Sequence, residues 1–159
     1  MIKVIDNFLE EDQFDHLQSI IFTDGFPWFY NNWQTHLHDG LYVFFHRFYS
    51  DPSGPNSSFF EMFDHTLCKL GVKKLYRIKA NLNPKTVFHR KSGYHIDYPN
   101  ITTSILYMNT NNGWTQFKKG KKIKSVANRM VIFDSNLEHK AVTCTDKKLR
   151  IVVNFNYQV

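Results

Sequence analysis

Two residues able to bind a metal, His95 and Asp97, stand two apart in Tyr94-His95-Ile96-Asp97, and a third, His139, follows far downstream. In extended backbone, residues i and i+2 point to the same face, so His95 and Asp97 can grip one ion from a short, stiff segment. Two imidazoles and one carboxylate on one side of a metal suit Fe(II) that must keep positions open for other ligands. Arg150 lies eleven residues beyond His139, and a guanidinium there can hold an acidic cosubstrate through two parallel hydrogen bonds. His-x-Asp alone is a weak signal, since such pairs arise by chance on surfaces and in turns. The ordered set of four residues is the stronger one.

The segments that must position these residues read as strands. Residues 75–82 alternate, with Tyr76, Ile78, Ala80 and Leu82 on one face and Arg77, Lys79, Asn81 and then Asn83 on the other, before Pro84 ends the run. Segments 101–109, 114–118, 123–126, 130–134, 139–144 and 149–157 follow, separated by turns rich in Asn, Gly, Lys and Asp. With a short strand at His-x-Asp this makes about eight, the number of a jelly-roll. In the last segment Leu149, Ile151, Val153, Phe155 and Tyr157 form an apolar face, while Arg150, Val152, Asn154 and Asn156 form a largely polar one. A polar face of a two-sheet sandwich is ordinarily the wet outer one. Two helical segments upstream need a sheet to cover, which offers the opposite arrangement: the apolar face beneath helices, the polar face lining a barrel mouth.

Lys3-Val4-Ile5 reads as a strand, and Asn7 with Glu10 has the spacing of a helix capping box. Phe14, Leu17, Ile20 and Ile21 then recur at helical spacing. Residues 26–33 crowd aromatic side chains around Pro27 without a clean period and read as loop with a strand fragment; residues 41–49 read as a strand, and 51–56 as a turn. Ser57 or Ser58 is placed to cap a second helix carrying Phe59, Met62, Phe63, Leu67 and Leu70, with Gly71 as its stop.

The order and gaps of His95, Asp97, His139 and Arg150 resemble those of the 2-oxoglutarate- and Fe(II)-dependent oxygenase superfamily. The flanks resemble its prolyl-4-hydroxylase-like branch: Pro99-Asn100 leads toward Ile105-Leu106-Tyr107-Met108-Asn109, and Asn112-Gly113-Trp114-Thr115-Gln116-Phe117 is similar to that branch's Gly-Gly-x-Thr-x-Phe segment, with Asn112 replacing one glycine. The resemblance covers residues 76–159, with an echo in the opening strand, Asp6-Asn7-Phe8-Leu9 and helix. It implies a mainly β fold with flanking helices around a double-stranded β-helix (jelly-roll, cupin-like) core. One oxygenase domain would span 1–159, with a helical and strand part over 1–71 and the core over 72–159. It implies His95, Asp97 and His139 as the catalytic Fe(II) ligands, and Arg150 with Tyr107 as holders of the remote carboxylate of 2-oxoglutarate. Asn81, Asn154 and Asn156 are weaker candidates for the other end of that cosubstrate or a metal-bound water. Ascorbate is compatible with this set. The implied reaction is hydroxylation of an aliphatic carbon in a peptide, prolyl included, or a small molecule. Asp97 favours hydroxylation, because halogenating relatives lack this carboxylate.

At 159 residues, 16% of them aromatic, the chain has enough apolar material for one ordered domain and too little for two. A net charge of +6 is compatible with anionic ligands, acidic partners or nucleic acid. Cys68 and Cys144 are too few for a disulfide framework, which favours a reducing compartment. The chain begins without a signal-peptide pattern and has no run long enough to span a bilayer, so a soluble, cytoplasmic protein is expected. His36 and His38 repeat the i, i+2 spacing without a carboxylate and read as solvated loop, as does His89. Lys118, Lys119, Lys121, Lys122 and Lys124 surround Gly120; a lysine-rich hairpin more often protects a sheet edge than binds phosphates. Two other classes stay open: a non-catalytic jelly-roll binding or structural module, and a basic nucleic-acid-binding protein. Against the latter, the position at which nucleic-acid demethylases carry a second arginine is Asn156.

Overall fold

A computed structural model describes residues 1–35 and 39–159, and the His36/His38 pair lies outside the described residues. Strand β1 (Ile2–Ile5) leads to helix α1 (Glu11–Ile21), then β2 (Phe29–Asn31), β3 (Val43–Ser50) and β4 (Gly54–Pro55). A 3-10 turn (Phe60–Phe63) runs into α2 (Asp64–Leu70). There follow β5 (Lys74–Pro84), β6 (Thr102–Tyr107), β7 (Trp114–Phe117), β8 (Lys122–Lys124), β9 (Arg129–Asp134), β10 (His139–Val142) and β11 (Leu149–Gln158). The large sheet has the order β1-β9-β6-β11-β5-β3-β2, with β4 on β3, and the small sheet the order β10-β7-β8. The strand pairs are antiparallel throughout, and the two sheets form the expected jelly-roll.

The large sheet is covered on both faces. Ile78, Ala80, Leu106, Ile151, Val153, Phe155 and Tyr157 pack on its outer face with Phe14, Leu17 and Ile21 of α1 and with Phe63 and Leu70 at α2. On the inner face Ile105, Tyr107, Val131, Phe133 and Val152 meet Phe117 and Ile123 of the small sheet. The apolar face of β11 therefore lies beneath the helices. Its polar face, with Arg150, Asn154 and Asn156, is buried between the sheets. The usual wet placement of a polar face does not apply, because the small sheet takes the place of solvent.

Three local expectations differ from the structure. The Asn7/Glu10 capping box does not form: Asn7 sits at φ 49°, and α1 starts after Glu10 with no side-chain cap. Asn7 uses the left-handed region, which asparagine tolerates, to turn the chain. Asn128 captures the segment instead, accepting from the Leu9 N–H at 2.9 Å and donating to the Leu9 carbonyl at 2.8 Å. The His-x-Asp segment is likewise no regular strand. It pairs with β10 through isolated bridges at Lys91–Val142 and His95–His139. Between them the Ala141 N–H donates to Ser92 Oγ at 3.0 Å, so a side chain stands in the ladder.

The second helix ends as its sequence suggests but begins later: the 3-10 turn starts at Phe60 and α2 at Asp64, neither with a side-chain cap, and Ser57 only braces the turn before them. Ser57 Oγ accepts from the Phe59 N–H at 3.2 Å, and Gly71 closes α2 at φ 68°, a conformation glycine adopts without penalty. The lysine hairpin carries β8, an edge strand of the small sheet, and Lys118 pairs with Glu138 at 2.6 Å. Cys68 and Cys144 are unpaired. Among the described residues, no helix is long and apolar enough to cross a membrane.

Phe63 and Phe155 meet edge to face at 5.4 Å, both at 0% exposure. Phe155→Ala is expected to lower the unfolding free energy by about 3–5 kcal/mol, the usual cost of emptying a buried aromatic site. Urea denaturation checks it; a loss below about 1 kcal/mol would mean that the helices do not seal this face.

Candidate metal centre

The bridge between His95 and His139 builds the site from the backbone. Each residue donates its N–H to the other's carbonyl at 3.0 Å, which sets the two rings side by side with centroids 4.7 Å apart. Two residues on, Asp97 presents its Oδ1 3.8 Å from His95 Nε2. One ligand atom from each of the three residues lies within 4.8 Å of the other two, which is within reach of a single ion.

The imidazoles are held in the form a metal needs. His95 Nδ1 donates to the Gly93 carbonyl at 3.2 Å and His139 Nδ1 to the Leu137 carbonyl at 3.1 Å, which leaves Nε2 as the free lone pair of each ring. Burial pushes His139 below the usual imidazole value, against the pull of Asp97, and so favours the neutral ring. Phe133 packs against that ring at 5.0 Å.

Asp97 is gripped at both oxygens. Arg77 Nη2 lies 2.8 Å from Oδ1, and Asn156 Nδ2 donates to Oδ2 at 3.3 Å. Arg77 Nε also donates to Asn156 Oδ1 at 3.0 Å, and Asn156 Nδ2 reaches Thr103 Oγ1 at 3.0 Å, closing a network. Burial alone would raise the Asp97 carboxyl, but the Arg77 guanidinium and then the two imidazoles outweigh it and hold the group well below the usual carboxylate range. The carboxylate is thus ionised before any metal arrives.

Arg150 is 1% exposed. Its Nε donates to Ser125 Oγ at 2.9 Å and its Nη2 to Thr115 Oγ1 at 3.2 Å, while Nη1 has no partner. Among the described residues, no acidic group lies in ion-pair range of it. A cavity of about 70 Å³ joins Arg150 to His95, Asp97 and His139, with Asn81, Asn83 and Asn154 also in its wall. Three buried polar atoms without partners belong to residues of this wall: Arg150 Nη1, Asn83 Nδ2 and Asn154 Oδ1. Buried polar groups are rarely left unsatisfied, so the cavity is built for something polar.

Tyr107 is not in the cavity wall. It lies under Arg150, with the guanidinium carbon 5.5 Å from its ring centre, and its hydroxyl donates to Thr115 Oγ1 at 2.7 Å. Gly113 makes room for the same side chain. A Cβ there would fall 2.8 Å from Arg150 Cδ and 2.8 Å from the Val142 carbonyl oxygen. His89 is exposed and spends its Nδ1 on the Thr143 carbonyl at 2.7 Å, bracing its loop.

The structure thus brings together His95, Asp97, His139, Arg150, Asn81 and Asn154, and sets Tyr107 behind Arg150. Sequence reasoning did not single out Arg77, Asn83, Thr115, Ser125 or Gln34. Strand parity held the signal for the first two: register pairs Arg77 with Asn156 and Asn83 with Arg150, so they share the inner face of the large sheet. Gln34, also in the wall, lies beyond the aperiodic aromatic stretch, where no pattern marks it.

Neither a protein-family model nor a curated protein sequence matches the chain. Solved structures do. A 2OG-Fe(II) oxygenase family oxidoreductase from Burkholderia pseudomallei aligns over 99% of this chain and 84% of its own, with a TM-score of 0.77 at 11% identity. A prolyl-4-hydroxylase from Pseudomonas putida aligns over 99% and 92%, with a TM-score of 0.68 at 13% identity. A prolyl hydroxylase from Trichoplax adhaerens, in complex with a peptide fragment of the hypoxia inducible factor oxygen degradation domain, aligns over 99% and 83%, with a TM-score of 0.63 at 15% identity. The chain has the jelly-roll fold of these 2OG-Fe(II) oxygenases.

Proposed function

We propose that the chain is a 2-oxoglutarate- and Fe(II)-dependent dioxygenase that hydroxylates an aliphatic carbon. The observation that carries this reading is Arg150: a fully buried guanidinium without an acidic partner among the described residues, in one cavity with two imidazoles and a carboxylate. An unpaired buried charge costs several kcal/mol, and a carboxylate entering the cavity would offset that cost. A keto acid with a second carboxylate meets both ends of the site.

The residues fit the groups. Two imidazole nitrogens and one carboxylate suit Fe(II) with positions left open, and the partnerless Arg150 Nη1 and Asn83 Nδ2 offer donors to a dicarboxylate. When bound, Fe(II) with 2-oxoglutarate and dioxygen supplies the oxidising power: one oxygen atom enters the substrate C–H bond, the other enters succinate, and carbon dioxide leaves.

The protein's own part is positioning. His95 and His139 keep their Nε2 lone pairs presented through the bonds from Nδ1. Arg77 and Asn156 fix the Asp97 carboxylate in one orientation. Arg150, held by Ser125, Thr115 and the Tyr107 ring, would orient the remote carboxylate, and Ile105 and Val152 give the cavity apolar wall that limits water. A carboxylate at Asp97 leaves no place for a halide, which favours hydroxylation. A peptide substrate, prolyl included, draws support from the flanks of His-x-Asp and from the two prolyl hydroxylases of like fold; ascorbate would serve to keep the iron ferrous. The unpaired cysteines suit a reducing, cytoplasmic setting.

The test is succinate release from 2-oxoglutarate in the presence of Fe(II) and oxygen, with Mn(II) binding followed separately. Wild type is expected to bind Mn(II), and Asp97→Ala to lose both Mn(II) and turnover. Arg150→Met is expected to keep Mn(II) and weaken 2-oxoglutarate about tenfold or more, the worth of charge-assisted hydrogen bonds. Unchanged 2-oxoglutarate affinity in that variant would overturn the assignment. Gly113→Ala is expected to act in the same direction by displacing the Arg150 stem, and to lower stability by about 1–3 kcal/mol in urea, as overpacking does; wild-type behaviour on both counts would contradict the close approach.

A further inference from the structure

Arg77 is spent on Asp97, and Arg150 faces the cavity, yet the inner face of the large sheet carries two more cations that form no ion pair among the described residues. They are Lys79 and Arg47. Alternation along β5 puts Lys79 between Arg77 and Asn81 on the inner face. Register pairs Lys79 with Asn154 of β11 on one side and with Arg47 of β3 on the other. The cross-strand row Arg47, Lys79, Asn154, Ile105 is therefore the next one to the row Arg77, Asn156, Thr103 that grips Asp97. Successive same-face positions on a strand are about 7 Å apart, which is the reach of a small molecule or of one residue of a peptide.

Lys79 does not behave as a free surface lysine. It is half-buried, with Nζ 4.9 Å over the Phe45 ring, and among the described residues it has neither an ion pair nor a hydrogen bond. Burial first, and then Arg77, bring its amine down to about 8, with Asp97 pulling the other way and Arg47 adding the smallest effect. Arg47 is exposed at the rim and equally unpaired. Phe45 shares the inner face with Asn81, and Phe29, its partner on β2, lies 6.0 Å away ring to ring and is 55% exposed. The proposed reaction makes no use of this pair: the two carboxylates of the keto acid would meet the ferrous ion and Arg150, and Arg77 is held by Asp97.

We propose that Lys79 and Arg47 form a substrate-recognition site for an anionic group, a carboxylate or a phosphate, with Phe45 and Phe29 as the apolar shelf for the part of the substrate next to it. The oxidised carbon would lie toward Asp97, and the anion two residues, one same-face step, away along β5. The catalytic use of this site rests on the oxygenase reading; the anion binding does not.

The probes are benzoate and phenyl phosphate, set against the neutral benzamide and benzyl alcohol. Each is titrated by calorimetry into protein loaded with Mn(II) and 2-oxoglutarate without oxygen, and into metal-free protein. At least one anion is expected to bind tenfold or more tightly than its neutral counterpart. The preference should vanish in Lys79→Met, shrink in Arg47→Met and persist in Lys79→Arg, with Mn(II) and 2-oxoglutarate affinities unchanged. Stronger binding of phenyl phosphate would assign a phosphate, and of benzoate a carboxylate. Equal binding of charged and neutral probes, binding of none of them, or a preference that survives Lys79→Met overturns the proposal. Failure of Mn(II) or 2-oxoglutarate to bind would count against the oxygenase reading alone, because the metal-free titration still reads the anion site.

Discussion

The central strand of the large sheet, β11, is covered on both faces, and one of those faces is polar. Burying amides and a guanidinium is tolerated only where each finds a partner, and that requirement shapes the interior. Asn156 is absorbed into the network with Asp97, Arg77 and Thr103. Arg150 is absorbed by two hydroxyls and an aromatic ring. What is left over, on Arg150, Asn83 and Asn154, gathers at one cavity. A sheet optimised for stability alone would carry aliphatic residues there. The unsatisfied remainder is the place where stability has been exchanged for binding.

The candidate metal triad is rigid because two of its members, His95 and His139, are backbone partners. His95 and His139 exchange both N–H···O bonds, so their separation is fixed by the pairing. Asp97, two residues on, inherits that position and is then locked by Arg77. Burying an ion pair seldom adds net stability, since desolvation of both charges opposes their attraction. Orientation is the better account of Arg77, which also touches Asn156 and stacks on Tyr98 at 5.2 Å. A carboxylate already charged and aimed needs no proton release and little rearrangement to accept a cation.

Much of the site was legible because it is written in covalent spacing. His95 and Asp97 share a segment, His139 and Arg150 lie a fixed distance apart on neighbouring stretches of chain, and alternation put Arg150 on the polar face of its strand. The structure agrees, with Asn83 opposite Arg150 and Val152 opposite Tyr107. The partnerships of Arg77 and Lys79 were not legible, because they depend on which strands flank β5 and on where the irregular segment carrying Asp97 comes to rest. The capping box at Asn7 failed for a related reason. A local hydrogen bond competed with a tertiary one from Asn128, and the tertiary one won. The stretch 26–33 had no period because β2 is a three-residue edge strand whose Phe29 and Tyr30, on opposite faces, are both more than half exposed.

Asn128 also explains how the N-terminal elements bear on the interior. Its side chain holds both polar groups of the Leu9 backbone, its carbonyl accepts from the Phe8 N–H at 2.9 Å, and its own N–H donates to the Tyr107 carbonyl at 3.0 Å. One residue thus ties the entrance of α1 to the end of β6, the strand whose Tyr107 supports Arg150. Gln18 on α1 adds a second tie, donating to the Met108 carbonyl at 2.6 Å. The helix that seals the outer face is therefore bonded to the stretch of backbone that fixes the arginine's support on the inner face. Loosening of α1 would be felt at the Arg150 end of the cavity, through Tyr107, before it was felt at the candidate metal ligands, of which His95 pairs with His139 on β10 and Asp97 is held by Arg77.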